Sequence, residues 1–194
     1  MRLLIVLLLF INSLVSVAQL DDKTIYDLKS GRVLNDISYV YWLPVQKGKK
    51  CFLIQAYNSK MSHRNELSLD FKMKKGTRIY AVRDGVVEEI KADSDEGGLG
   101  DKYLSKGNHI IIRHNDGSKA MYWHLQKDGV MVKPGELVTK GQYIGLSGNT
   151  GYTAFPHLHF EVIDKNDRQI PTRFLTKKGI RYLRPANWYR STQD

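Results

Sequence analysis

The chain has 194 residues, of which 42% are hydrophobic and 26% are charged, a composition that excludes a disordered polypeptide and fits one globular domain of ordinary size. Its formal net charge of +10 favours a polyanionic partner, either nucleic acid or an anionic cell wall. Cys51 is the only cysteine, so an internal disulfide is excluded and a buried structural thiol is the simplest role for it.

The first 18 residues have the layout of a secretory signal peptide. Arg2 precedes an apolar run over residues 3–11, and Ser16 and Ala18 place small residues at the two positions that a signal peptidase reads. An uncleaved membrane anchor is the alternative, but the apolar run is short for a membrane span. We therefore expect an exported protein, periplasmic or extracellular, with no stable membrane anchor after cleavage. Export favours the anionic cell wall over nucleic acid as the partner.

After the signal peptide, short strand-like segments alternate with turn residues. Residues 36–45 form a β-prone run, and residues 51–57 predict an apolar strand. Leu67, Leu69 and Phe71 alternate with polar residues, which predicts a half-buried strand.

Two pairs of segments are joined by hairpin signals. Asp84-Gly85 joins residues 78–82 to 86–90, and Asn115-Asp116-Gly117 joins residues 109–113 to 119–124. No stretch shows a convincing helical period, so the sequence predicts an all-β fold of antiparallel sheets.

Residues 93–108 form a long connection that is acidic at first and then rich in glycine. A connection of this length is either the rim of a substrate groove or a disordered surface loop, and its length alone does not separate the two.

His157-Leu158-His159 is the sharpest chemical feature. Side chains two apart on a strand point to the same face, so both imidazoles face outward while Leu158 faces the core. Both could bind a metal, or one could bind it while the other transfers protons. Asp70 lies on the face opposite its apolar neighbours, and His63 lies upstream across a short loop. Two imidazoles and a carboxylate suit a catalytic zinc site with an open fourth position, whereas calcium favours oxygen ligands.

Three groups of residues then occur in order along the chain. They are His63 with Asp70-Phe71-x-Met73-x-x-Gly76-Thr77 and Asp84-Gly85-Val86-Val87, then Tyr122-x-His124-Leu125, and last Pro156-His157-Leu158-His159-Phe160-Glu161-Val162. Together they resemble the motifs of the lysostaphin-type zinc metallopeptidases. The resemblance implies antiparallel sheets that form a groove with zinc on its floor. It also implies hydrolysis of peptide cross-bridges in bacterial peptidoglycan.

By motif position, the resemblance makes His63, Asp70 and His159 the ligands of one zinc ion. It makes His124 and His157 the catalytic histidines that do not bind the metal. Zinc lowers the pKa of bound water to about 7, which provides hydroxide at neutral pH. Either catalytic histidine could take a proton from that water while the other stabilises the developing oxyanion.

The spacing of the first motif departs from the family pattern. Many relatives place the aspartate four residues after the first histidine, whereas Asp70 follows His63 by seven. Glu66 could therefore compete with His63 as a ligand. No cofactor beyond Zn²⁺ is expected.

The other candidate residues predict structural roles. His109 begins an apolar strand, and His114 at the start of a turn predicts a solvent-exposed side chain. Tyr122 shares the expected strand face of His124 and predicts a groove-lining side chain, which would leave Trp123 in the core.

The sequence thus predicts a signal peptide over residues 1–18, an N-terminal segment over 19–50 that packs on the catalytic domain, a metallopeptidase domain over 51–175 and a C-terminal tail over 176–194. The rival interpretation is an inactive wall-binding or regulatory module of the same fold. A third is a zinc enzyme that acts on another extracellular peptide. All five metal and catalytic positions are occupied, which favours the enzyme.

Overall fold

The computed structural model of the protein describes residues 22–32 and 38–192. The expected signal peptide and the first two residues of the predicted strand over 36–45 lie outside the described residues. The elements are α1 (Asp22–Ser30), β1 (Val40–Trp42), β2 (Lys50–Gln55), β3 (Leu69–Lys72), β4 (Arg78–Tyr80), β5 (Gly85–Lys91), β6 (Gly97–Gly98), a 3-10 helix (Asp101–Lys106), β7 (Asn108–Arg113), β8 (Lys119–Val130), β9 (Leu137–Val138), β10 (Tyr143–Ser147), β11 (Gly151–Tyr152), β12 (His157–Ile163), β13 (Arg173–Thr176), β14 (Gly179–Tyr182) and β15 (Asn187–Arg190).

Ten of these strands form one antiparallel sheet. Its main path runs β15-β2-β3-β12-β8-β7-β5-β9, and β10 joins it by pairing with both β4 and β8. The predicted all-β fold of antiparallel sheets is therefore confirmed.

The core lies against the apolar face of β3, β12 and β8. Leu158, Phe160 and Val162 of β12 are fully buried, and they alternate with the histidines and Glu161 on the other face. Phe71 and Tyr122 pack against Phe160 with ring centroids 6.4 and 5.3 Å apart. This packing fixes the register of the three strands, since a slip by one residue would exchange the two faces.

The two hairpin predictions have different outcomes. β7 and β8 pair around Asn115-Asp116-Gly117 as predicted. The hairpin predicted at Asp84-Gly85 is wrong, because β4 pairs with β10 whereas β5 pairs with β7 and β9. Arg83 lies at this corner between β4 and β5. Its buried guanidinium lies 4.0 Å from the Tyr39 ring centroid and donates a hydrogen bond of 2.7 Å to Asp116.

Two smaller sheets complete the fold. β1 pairs with β13 in parallel and β13 with β14 antiparallel, while β6 pairs with β11 in parallel. Residues before 51 reach the core through Leu28, Tyr41 and Leu43. Residues after 175 contribute β14 and β15, and β15 pairs with β2 at one edge of the large sheet. Among the described residues, no helix combines the length and the apolar character needed to cross a membrane.

Candidate metal centre and active site

Asp70 lies at the centre of a histidine cluster. Its Oδ1 atom is 3.0 Å from His159 Nδ1, 3.2 Å from His63 Nε2 and 3.5 Å from His157 Nε2. The residue is only 2% exposed. Burial opposes ionisation, but the neighbouring imidazoles of His157, His159 and His63 outweigh it and hold the pKa of Asp70 well below its usual range.

Strand pairing accounts for most of this cluster. β12 pairs with β3 so that His159 stands opposite Asp70, and His157 stands opposite Lys72. Directly opposed residues on a shared face lie within side-chain reach. The alternation of β12 then turns both histidines toward the carboxylate. The prediction that His157 and His159 point to the same face of one strand is confirmed.

His63 reaches the cluster from the connection between β2 and β3. The residue is 1% exposed, and neither ring nitrogen makes a hydrogen bond of acceptable geometry to a described residue. Burial disfavours the imidazolium, but the adjacent carboxylate of Asp70 outweighs it and raises the pKa of His63. A buried ring without hydrogen-bond partners is unusual, and a bound metal ion would satisfy it.

His124 enters the site through a β-bulge in β8. Asn108 stands opposite Leu125 and His109 stands opposite Trp123, so His124 is an extra residue without a partner on β7. Its φ of +66° lies in the left-handed region, which few non-glycine residues adopt. The bulge turns the His124 side chain to the face that Trp123 occupies.

The bulge also overturns one sequence prediction. Tyr122 was expected to line the groove and Trp123 to lie in the core, but Tyr122 is fully buried and Trp123 lines the cleft. The expectation assumed unbroken alternation as far as His124. The extra residue reverses the alternation at that point, so Tyr122 and His124 face opposite sides.

His124 and His157 are held in the same way. Nδ1 of His124 lies 2.7 Å from the Thr150 carbonyl, and Nδ1 of His157 lies 2.8 Å from the Phe155 carbonyl. Because a carbonyl can only accept, each Nδ1 carries a proton, and each Nε2 offers a lone pair when the ring is neutral. The two rings are 4.7 Å apart. Burial, followed by the charges of His157 and His159, lowers the pKa of His124 to about 3.

The donor atoms support more than one ligand set. Two further sets have all their donor atoms within 4.8 Å of one another. One set is His124, His157 and His159, and the other is His63, Glu66 and His159. Geometry therefore identifies the place of a metal site without selecting its ligands.

The cluster forms the floor of an open cleft of about 600 Å³. The apolar walls come from Leu99, Leu104, Trp123, Tyr152 and Phe155. Residues 93–108 thus line the cleft, as one of the two interpretations of that segment predicted.

Two further histidines lie outside the cleft. His109 is buried, its Nε2 is 3.0 Å from Glu89, and its ring packs 4.3 Å from that of Trp123, which supports the predicted structural role. The prediction of an exposed His114 is wrong. Its ring is buried beneath the turn, and Nδ1 lies 2.8 Å from the Asp84 carbonyl.

Comparison with protein-family models matches residues 64–171, more than half of the chain, to Peptidase family M23. The chain belongs to this family.

Two curated relatives share the M23 region. The peptidoglycan DD-endopeptidase ShyA of Vibrio cholerae is 40% identical over 94 residues, which are 48% of this chain and 19% of that protein. Lysostaphin of Staphylococcus simulans is 38% identical over 116 residues, which are 57% of this chain and 21% of that protein. The chain thus spans about a fifth of the length of these relatives.

A solved structure shows the same M23 fold. A zinc-containing peptidase from Vibrio cholerae superimposes with a TM-score of 0.50 and 29% identity, over 67% of this chain and 38% of that one.

The M23 site contains one residue that the sequence analysis missed. Gln55 is buried, and its Nε2 donates to Asp70 Oδ2 at 2.7 Å and to Ser62 at 2.9 Å. It stands opposite Asp70 at the end of β2. A signal was present, since Gln55 takes an inward position after Cys51 and Leu53, where an apolar side chain is expected.

Proposed function

We propose that the mature protein is an exported zinc metalloendopeptidase that hydrolyses the peptide cross-bridges of bacterial peptidoglycan. The observation that carries the proposal is the contact of Asp70 with three imidazoles on the floor of an open cleft, in a chain of a peptidase family. The names of the two relatives, a peptidoglycan DD-endopeptidase and lysostaphin, support the substrate class.

His63, Asp70 and His159 would hold the zinc ion. Ligands about 2.0–2.1 Å from a tetrahedral zinc lie roughly 3.4 Å apart, and the distances of 3.2 and 3.0 Å from Asp70 Oδ1 are close to that spacing. The unsatisfied ring of His63 fits the same assignment. When bound, zinc polarises a carbonyl and lowers the pKa of water to about 7.

His124 and His157 would move protons. Each has its Nδ1 proton held by a backbone carbonyl, so the Nε2 lone pair is free to accept a proton at the cleft floor. The resulting imidazolium can then donate that proton to the leaving amine. The fixed tautomer orients both rings before substrate arrives, which reduces the reorganisation that catalysis requires.

Gln55 would position the carboxylate. Because its amide binds Asp70 Oδ2, it leaves Oδ1 directed at the histidines. Outer partners of this kind fix the orientation of metal ligands. The apolar walls of the cleft would pack along an extended peptide and keep it over the cluster.

An inactive wall-binding module of the same fold is the alternative. Loss of activity in such a module ordinarily shows as missing ligands or missing catalytic histidines. All five positions are occupied. Three of the histidines contact Asp70, and the ring centroid of the fourth, His124, lies 4.7 Å from that of His157.

Mass spectrometry of digested peptidoglycan tests the proposal. Purified walls of several cross-bridge types are incubated with zinc-loaded protein, with Asp70→Ala as the matched control. We expect fragments with new amino termini from the wild type alone. No fragments from any wall, or fragments with new reducing sugar ends, would reject the peptidase assignment.

A further inference from the structure

Positive charge is concentrated in two separate stretches of the chain. Residues 38–63 and residues 168–192 contain lysines and arginines but no aspartate or glutamate. The two stretches meet where β15 pairs with β2 at the edge of the large sheet. The net charge of +10 is therefore unevenly distributed over the surface.

A second cleft, of about 390 Å³, opens at this edge. We call it the basic cleft, and its charged lining consists of Lys50, Lys177, Lys178 and Arg190. All four are exposed, and among the described residues no salt bridge joins a residue of this cleft to a carboxylate. The cleft therefore presents uncompensated positive charge.

The register of the two strands places like charges together. Lys50 stands directly opposite Arg190, and Phe52 stands opposite Trp188 on the same face. Like charges in directly opposed positions destabilise a sheet, and an anion between them would remove that cost. The arrangement therefore favours an anionic ligand over an empty surface.

Trp188 supplies a flat apolar platform beside these charges. It is 65% exposed, and its ring lies 5.3 Å from that of Phe52, which supports it from one side. An exposed tryptophan held by a neighbouring ring offers stacking area at low entropic cost. A ring flanked by cations suits a ligand that combines negative charges with a ring face able to stack, such as the C–H face of an acidic sugar.

The basic cleft is distinct from the catalytic cleft. Lys50 begins β2 and Gln55 ends it, so the two sites are separated by five residues of strand, roughly 17 Å. The lining residues of the two clefts do not overlap.

We propose that the basic cleft binds an anionic sugar chain, with Trp188 stacked on a sugar ring and the lysines and Arg190 paired with its acidic groups. The choice of a sugar chain rather than a nucleic acid rests on the proposed function, in which the substrate is an anionic wall polymer. Binding there would hold the enzyme on its insoluble substrate while the catalytic cleft samples cross-bridges.

Binding of soluble polygalacturonate, an acidic sugar polymer without peptide bonds, tests the proposal without requiring hydrolysis. Titration calorimetry at low and high salt compares it with neutral dextran, polyglutamate and oligothymidylate. We expect polygalacturonate to bind most tightly and to weaken as salt rises, because exposed charges are screened.

Two sets of variants locate the site. Lys177→Glu with Lys178→Glu should weaken polygalacturonate binding by at least about tenfold, since like charges then oppose the polymer. Lys74→Glu with Lys75→Glu is the matched control, because Lys74-Lys75-Gly76 repeats the Lys177-Lys178-Gly179 turn elsewhere and both glycines have positive φ. That control should bind as the wild type does.

Trp188→Ala should weaken binding by about tenfold, and Trp188→Tyr should restore most of the loss because it keeps an aromatic platform. All variants should retain wild-type hydrolysis of a small soluble peptide substrate. Any of three results would overturn the proposal. The first is an equal loss of polygalacturonate affinity in the two lysine-pair variants, and the second is tighter binding of oligothymidylate than of polygalacturonate. The third is equal binding of polyglutamate together with no effect of Trp188→Ala. A protein that binds polygalacturonate yet cleaves no wall would leave it standing and reject the proposed function instead.

Discussion

At the residue scale, the site depends on how two histidines are oriented. His124 and His157 each donate a hydrogen bond from Nδ1 to a backbone carbonyl, of Thr150 and Phe155 respectively. Their Nε2 atoms therefore keep a lone pair, which suits proton transfer but also suits metal binding. Only substitution separates the two roles.

Alanine at His124 or at His157 should leave zinc content and fold intact while hydrolysis falls by about 10²–10⁴, the usual effect of losing a positioned acid–base group. The measurement is peptidoglycan turnover beside elemental analysis. His114→Asn serves as the control, because His114 is a buried histidine outside the cleft. Loss of zinc in either alanine variant would instead make that histidine a ligand.

Gln55→Leu should weaken zinc binding by about 10- to 100-fold, since the variant removes the donor that orients Asp70. Competition with a metal chelator measures the affinity. Gln142→Leu, a glutamine in a turn remote from the site, should bind zinc as the wild type does. An unchanged zinc affinity in Gln55→Leu would show that Gln55 contributes only to packing.

At the element scale, the bulge in β8 decides which side chains reach the cleft. Gly148 packs directly against the backbone of this bulge. A Cβ added there would lie 2.3 Å from the Gln126 nitrogen and 2.5 Å from the Leu125 carbonyl carbon. The backbone that follows His124 would have to move to admit any side chain at that position.

Gly148→Ala should therefore destabilise the protein by about 1–3 kcal/mol and lower the activity of the molecules that remain folded. Thermal unfolding and turnover per folded molecule are the measurements. Gly135→Ala is the comparison: its φ of +84° makes alanine strained, but nothing lies within 4 Å of the added Cβ. It should lose stability and keep its activity. Normal turnover in Gly148→Ala would contradict the role of the bulge.

The turn between β7 and β8 should make stability depend on pH. Burial, together with the positive charge of Arg83, lowers the pKa of His114 to about 4, although the hydrogen bond to the Asp84 carbonyl opposes this shift. The unfolded chain takes up this proton below about pH 6.5 and the folded chain does so only below about pH 4. Stability should fall by about 3 kcal/mol across that window as pH decreases.

Urea unfolding of metal-free protein at pH 7.5 and at pH 4.5 measures this effect. His114→Asn keeps a donor for the Asp84 carbonyl but does not titrate, so its stability should fall less than that of the wild type. Equal falls in the two proteins would assign the acid sensitivity to other groups.

Sequence patterns predicted those elements in which alternation is unbroken. β3, β12 and the β7–β8 hairpin as far as the His109–Trp123 pair follow the two-residue period, and with them the strand faces predicted for Asp70, His157 and His159 are correct. The errors at Tyr122 and Trp123 arise where one extra residue breaks that period. The error at Asp84-Gly85 arises because β4 and β5 pair with strands distant in sequence and not with each other. The prediction of an exposed His114 is wrong because its burial depends on Asp84, which is distant in sequence. Gln55 was missed although its inward position in β2 was a signal.

At the scale of the whole molecule, both ends of the described chain join the catalytic region. Leu28 and β1 reach the core from the N-terminal side, and β15 extends the large sheet from the C-terminal side. The division at residues 18, 50 and 175 stays a prediction, as do cleavage after Ala18 and export. Removal of residues 176–194 should expose the edge of β2, because β15 now covers it.

The most direct test of the central claim is the zinc content of the purified mature protein, measured by elemental analysis for the wild type, His63→Ala and Glu66→Ala. His63, Asp70 and His159 as ligands predict one zinc per wild-type chain, full retention in Glu66→Ala and loss of most zinc in His63→Ala. Full zinc in His63→Ala with loss in Glu66→Ala would move the ligand to Glu66. A wild-type chain that takes up no zinc would contradict the metallopeptidase account itself.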